Sequence, residues 1–175
     1  MSAIRTFTGI MFDPTNPDKE LIDIRDIAHA LSLMCRANGH FSHFYSVAQH
    51  SVSCMREAEA RGYSRRTRLA CLLHDASEAY LSDVTRPIKG LMPEYLVFED
   101  RLQTAIYEKY LGILTEKEAA EVSEIDDCML YYEFLSLTEM RLFDKEPPIS
   151  TAPDFTFADF CAVETEFLRA FEALV

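Results

Sequence analysis

Tryptophan is absent from this sequence, and glycine occurs only five times in 175 residues. So little glycine, with no internal repeat or Gly/Ser linker, excludes a collagen-like, low-complexity or disordered chain. Long hydrophobic runs are missing as well. No stretch approaches the roughly 18 apolar residues needed to cross a bilayer, so no membrane partner is expected. The opening MSAIRTFTG lacks the basic-then-apolar layout of a signal peptide, which makes the cytoplasm the expected compartment. No two cysteines form a CxxC pair. Cys35, Cys54, Cys71, Cys128 and Cys161 each stand in an apolar stretch and read as buried thiols, not as a disulfide framework or a thiolate metal site. Positive charge is scarce too: 17 Lys and Arg against 29 Asp and Glu leave a net charge of −12. So acidic a surface repels a phosphate backbone and argues against long nucleic acid as a partner, yet a locally positive pocket can still take a small anion.

What is present is a hydrophobic fraction of 49%, enough in a chain of this length for one domain, 1–175, with a real core. Residues 4–12 alternate and are rich in β-branched and aromatic side chains around Gly9, which suits a short hairpin before the loop at 13–17. Thereafter the periodicity is helical. Asp23 or Asp26 can cap a first helix that Asn38-Gly39 stops, and Ser46 can open a second ending near Gly62. Ser64 caps a third over 65 to about 80, with Leu69, Leu72, Leu73 and Ala76 on its core side. Pro87, Gly90 and Pro93 mark a loop. A fourth helix spans about 94–111. Thr115 and Glu118 form a capping box for a fifth reaching about 142, and a last amphipathic helix covers about 157–174. The expected fold is therefore all-α, about six helices with short connections.

Three polar residues interrupt the apolar third helix. His74 and Asp75 point about 100° apart on an α-helix, so both can grip one metal ion only if it lies between their directions, near the helix surface. Glu78, one turn on, reaches the same place as an acid/base carboxylate without being a ligand. His-Asp dipeptides are common, but His50, one turn into the second helix among core residues, strengthens the pair. A buried imidazole needs a partner for each nitrogen, and metal ligation plus one further hydrogen bond supplies both.

His50, then His74-Asp75, then a distant aspartate resembles the HD-domain superfamily of metal-dependent phosphohydrolases. The stretches FYSVAQHS and LLHDASEAYLSDVTRPIK are similar to the branch of bacterial 5′-deoxynucleotidases and phage deoxynucleotide triphosphohydrolases. That resemblance runs over roughly 4–133 and implies an all-α bundle, in agreement with the periodicity. It also implies a fourth ligand on the fifth helix. Asp126, which shares a face with Val122, Met129 and Glu133, is chosen over its neighbour Asp127, which reads as a solvated charge. Two histidines and two carboxylates suit Mn²⁺, Co²⁺, Fe²⁺, Ni²⁺ or Zn²⁺, and suit Mg²⁺ less.

Arg86 and Lys89 follow the third helix as cations fit to neutralise a phosphate. The resemblance adds Arg36 on the phosphate side of the pocket and Asp83 near the sugar and the attacking water. Relatives carry Trp beside that arginine where this chain has Ala37. His29 reads as a packing or surface residue, and His40 and His43 either as phosphate contacts or as exposed loop histidines. The expected reaction is direct hydrolysis of a nucleotide phosphate ester, with Glu78 and Asp83 moving protons and Arg36, Arg86 and Lys89 binding substrate. A nucleoside 5′-monophosphate is the expected substrate. Triphosphohydrolysis of dNTPs on the same site and a nucleotide-sensing HD domain are the alternatives. The resemblance further implies a homo-oligomer.

Overall fold

The computed structural model describes residues 3–175; the expected domain and the N-terminal reading also include Met1 and Ser2, which lie outside the described residues. The chain is mostly helical, with a small N-terminal hairpin, as its periodicity predicts. Strand β1 (Ile4–Arg5) pairs antiparallel with β2 (Met11–Phe12), placing Ile4 opposite Phe12. Gly9, at φ 91°, makes the turn that a side chain would resist. The hairpin docks through Thr8, whose N–H and Oγ–H both donate to the buried Asp26 carboxylate at 2.6 and 2.9 Å.

Asp23 caps α1 (Ile24–Leu33) by accepting from Arg25 N–H. This helix ends earlier than its Asn38-Gly39 stop predicts. Cys35 bridges to Ser46, and Arg36–Gly39 forms a separate 3-10 turn in which Ala37 and Asn38 both sit at φ 51°. Left-handed backbone costs an alanine roughly 1–2 kcal/mol, so the rest of the structure must hold this turn. Helix α2 (Val47–Ala60) opens on a Ser46/Gln49 capping box, and α3 (Arg65–Leu73) on Ser64. The third helix does not run on to residue 80. It stops at Leu73, where the Gln103 side chain interrupts the ladder, and the chain tightens through i→i+3 bonds into α4 (Glu78–Leu81).

The expected loop at 87–93 contains a further short helix, α5 (Arg86–Lys89), started by Pro87 near its N-terminus, before α6 (Pro93–Tyr110). Helix α7 (Glu116–Thr138) has the expected Thr115/Glu118 capping box, but Glu139 turns left-handed and ends it short of 142. Helix α8 (Phe160–Leu174) begins at the Asp159 cap, three residues later than its hydrophobic pattern suggests. The main core joins Ile27 and Leu31 of α1, Val47 and Ala48 of α2, Leu69, Leu72 and Leu73 of α3, Leu102 and Ile106 of α6 and Phe167 of α8. Each such large side chain contributes about 1.5–3 kcal/mol when fully buried. A second cluster, with Cys54, Cys71, Ile125, Cys128 and Met129, seals α2 and α3 against α7. The candidate site forms where these three helices meet. Not every cysteine is a buried thiol: Cys54, Cys71 and Cys128 are, Cys35 is half-buried, and Cys161 is exposed near the start of α8. Among the described residues no helix is long and apolar enough to cross a membrane.

Candidate metal centre

The first turn of α2 brings His50 to the centre of the fold, with no exposed surface. Its Nδ1–H donates to Glu133 Oε1 of α7 at 2.6 Å, while His74 Nδ1–H donates to the Cys71 carbonyl at 2.8 Å. With both Nδ1 positions committed, the Nε2 lone pairs of the two rings face each other 3.1 Å apart. Two such lone pairs repel unless a proton on one ring or a bound metal ion lies between them. Around them gather carboxylate oxygens: Asp126 Oδ1 at 3.1 Å from His50 Nε2 and 3.7 Å from His74 Nε2, and Asp75 at 3.7 and 3.3 Å from the same two atoms. Donors bound about 2.0–2.2 Å from one ion stand roughly 3.0–3.5 Å from each other at octahedral or tetrahedral angles. Three of the five spacings fall in that range, and the two at 3.7 Å lie just above it.

Cys54, one turn beyond His50 on α2, places its Sγ 3.5 Å from His50 Nε2. His50, Cys54 and His74 have their donor atoms all within 4.8 Å of one another and can hold a metal ion. Cys54 is the buried thiol that its apolar stretch predicts, and it also stands within reach of both histidines. Burial holds that thiol protonated, its pKa pushed up to about 11. The signal was its i+4 spacing from His50, which an apolar environment disguised.

Without a bound ion, the cluster is a set of strongly coupled charges. Burial and Arg36 both disfavour protonated His50, but the neighbouring acids, Glu133 and Asp126 among them, outweigh them and lift its pKa well above the usual value. Burial likewise opposes ionised Asp126, yet its bonds to His50 and His74 win and hold it well below the usual carboxylate range. Glu78 goes the other way. It is 4% exposed, its Oε2 has no hydrogen-bond partner, and burial together with Asp75 and Asp83 raises its pKa well above normal. The tight turn fits this, because the Glu78 N–H bonds to the Asp75 carbonyl at 3.0 Å and sets the two acids one i→i+3 step apart. Burial, with Asp75, also raises Asp83.

Each cation is already paired. Arg36, 8% exposed, donates from Nε to Glu133 Oε2 at 3.0 Å and from Nη1 to Asp75 Oδ2 at 3.3 Å. Glu133 thus divides its two oxygens between His50 and Arg36, and a continuous chain, His50–Glu133–Arg36–Asp75, runs behind the cluster. Glu133 shares the Asp126 face of α7, but nothing in the sequence marked it as the partner of His50. Arg86 donates to Asp127 Oδ1 at 2.8 Å and Asp126 Oδ2 at 2.7 Å, so Asp127 is the anchor of that arginine and not a free surface charge. Lys89 donates to Glu99 at 2.6 Å and lies 3.7 Å from Glu78 Oε1.

All of the expected site residues except His50 and His74 line one cavity of about 480 Å³. Its floor is Asp75, Glu78, Asp83 and Asp126, with Arg36, Arg86 and Lys89 around them; its far wall is Phe41, Leu130, Phe134, Met140, Leu142 and Phe143. Ala37 lines it as well, so the strained 3-10 turn is part of the wall. The remaining histidines lie apart from the cluster. His29 stacks on Phe7 and pairs with Glu164, His43 bonds to the Phe155 carbonyl, and His40 is exposed.

No protein-family model matches the chain. It is similar to the uncharacterized protein YfdR of Escherichia coli K12, at 44% identity over 110 residues, which cover 63% of this chain and 59% of that protein. An uncharacterized protein of Rhodobacter capsulatus is 38% identical over 112 residues, covering 61% and 57% respectively. The chain therefore spans less than two thirds of either curated relative.

Proposed function

We propose that this chain is a metal-dependent phosphohydrolase of the HD-domain type, acting on nucleoside 5′-monophosphates. The observation that carries the proposal is the pair of imidazole Nε2 atoms 3.1 Å apart, with carboxylates around them that line a cavity also walled by Phe41, Phe134 and Phe143. His50, His74, Asp75 and Asp126 would hold one divalent ion from the Mn, Co, Fe, Ni and Zn group. That ion supplies Lewis acidity, which acidifies water and polarises a phosphoryl oxygen.

The rest is the work of the chain's own groups. Arg86 and Lys89 turn from Asp127 and Glu99 towards the incoming phosphate, exchanging one anionic partner for another so that neither cation is left unpaired, while the released carboxylates, 47% and 19% exposed, rely on solvent. Arg36 adds positive potential while its Nε and Nη1 stay with Glu133 and Asp75. Glu78, kept neutral by burial beside two carboxylates, gives its proton to the departing 5′-oxygen. The more open Asp83 accepts the proton of the attacking water. One P–O bond forms, the ester P–O bond breaks, and nucleoside and inorganic phosphate leave. Phe41, Phe134 and Phe143 offer apolar faces to sugar and base, and a volume of about 480 Å³ accommodates a mononucleotide. A cytoplasmic setting and a homo-oligomeric state complete the proposal.

Turnover assays with dNMPs, NMPs and dNTPs, each with Mn²⁺, Co²⁺ and Mg²⁺, test it. Phosphate release from monophosphates with a transition metal is the expected result. Hydrolysis of dNTPs alone would replace it with the triphosphohydrolase, and nucleotide binding without any turnover would replace it with a sensor.

A further inference from the structure

The turn that carries His74 and Asp75 owes its shape to a residue of another helix. In an unbroken α-helix the N–H of Ser77 would donate to the carbonyl of Leu73, four residues back. Instead the Leu73 carbonyl accepts from Gln103 Nε2 at 2.8 Å, and Ser77 N–H donates to Gln103 Oε1 at 3.1 Å. One primary amide takes both halves of a single broken i→i+4 bond. Ser77 is 2% exposed, so its N–H has no recourse to water, and an orphaned buried donor costs about 1–3 kcal/mol. Among side chains of this length, only glutamine offers a neutral donor and acceptor on one carbon. Gln103 projects from the middle of α6, where fully buried Leu102 and Ile106 hold the helix against the core.

With that bond diverted, the chain winds through i→i+3 bonds, Ala76 N–H to Leu73 and Glu78 N–H to Asp75, both 3.0 Å. Each residue then advances about 120° rather than 100°. Within this turn His74 Nε2 stands 3.1 Å from His50 Nε2 and 3.3 Å from Asp75 Oδ1, and the Glu78 N–H bonds back to the Asp75 carbonyl. An unbroken α3 would carry these side chains progressively out of register with His50 and Asp126, which sit on two other helices.

We infer that Gln103 is a positioning residue for the metal centre: its amide holds the α3–α4 ladder open so that His74 and Asp75 meet the same ion as His50 and Asp126. The inference rests on the proposed metal site. Gln103→Met keeps the bulk and removes both hydrogen bonds, freeing Ser77 N–H to reach Leu73. Gln103→Glu keeps only the acceptor. In the metal-free full-length chain, the Cα chemical shifts of residues 74–77 should move towards helical values in the Met variant. Co²⁺ titration, followed by visible absorption, should weaken at least tenfold with an altered band shape, and the Glu variant should fall between. A folded Met variant with parental Cα shifts and parental Co²⁺ affinity overturns the inference. If the Met variant does not fold, the Glu variant carries the same comparison. A parent chain that binds no Co²⁺ would defeat the metal reading separately, while the Cα shifts would still decide whether Gln103 sets the turn.

Discussion

His50 and Glu133 stand on helices of 14 and 23 residues and have no exposed surface, whereas Arg86 and Lys89 stand on a helix of four residues that buries none. The proposed metal end of the cavity is braced by the core packing of α2, α3 and α7. The cation end is tied down mainly by ion pairs across the cavity mouth, Arg86 to Asp126 and Asp127 and Lys89 to Glu99. The difference fits the tasks. Ligands to one ion tolerate displacements of only a few tenths of an ångström, which demands rigid supports. Cations that receive a mobile anion gain from partners they can exchange at low cost.

If this division is right, damage at the metal end should be severe and damage at the cation end graded. Asp75→Ala should abolish binding of the ion, measured by metal content after dialysis, with activity lost alongside; full metal retention would break the comparison at its strongest point. Glu78→Gln should keep the ion and lose turnover by about 10²–10⁴-fold. The same variant should gain stability. Glu78 has a raised folded pKa, so the parent loses stability as pH climbs from the ordinary glutamate value through the raised one. Thermal melts of the metal-free proteins should therefore diverge with rising pH, the variant melting higher by the equivalent of about 1–2 kcal/mol at neutral pH. Parallel melting curves would refute the burial of an ionisable carboxyl there.

Glu133→Gln should weaken metal affinity by roughly 10–100-fold, because it removes the anion that orients His50. It also leaves Arg36 without its main buried partner, a loss of about 3–5 kcal/mol readable by chemical denaturation. At the cation end, Arg86→Ala should leave metal affinity at least as high as the parent's, since Asp126 Oδ2 is released. KM for a monophosphate should rise roughly tenfold, as loss of one charge-assisted hydrogen bond requires. Asp127→Asn should do least, under about 1 kcal/mol in either binding or stability. An effect of Asp127→Asn as large as that of Glu133→Gln would erase the distinction between the two ends.

Local rules reached far into this molecule. Ser46/Gln49, Ser64, Thr115/Glu118 and Asp23 start helices where their side chains can satisfy N–H groups, and those caps need no knowledge of the fold. The helix ends were less legible. Glu139 and the Ala37–Asn38 pair adopt left-handed backbone, a conformation that glycine would have signalled and these residues conceal. Likewise α5 was hidden among residues that read as loop punctuation, because a four-residue helix with nothing buried leaves no periodic trace.

His50, His74, Asp75 and Asp126 were legible as a set because polar groups on apolar helix faces require a partner, and their types and order name one kind of chemistry. Their company was not. Cys54 passed for a packing thiol, Glu133 for an ordinary helix glutamate, and Gln103 carried no signal. Glu133 and Gln103 act through partners that folding delivers from a distant part of the chain: Glu133 meets His50 from 83 residues away, and Gln103 meets Leu73 from 30. By itself the sequence determined the helical class, most helix starts and the residue types that gather around His50 and His74. Only the tertiary structure decided which carboxylate supports which imidazole, that Arg36 serves Glu133 and Asp75, and that the third helix breaks at the site. Periodicity and capping are settled within a turn or two of chain, whereas the pairing of buried charges depends on which helices pack together.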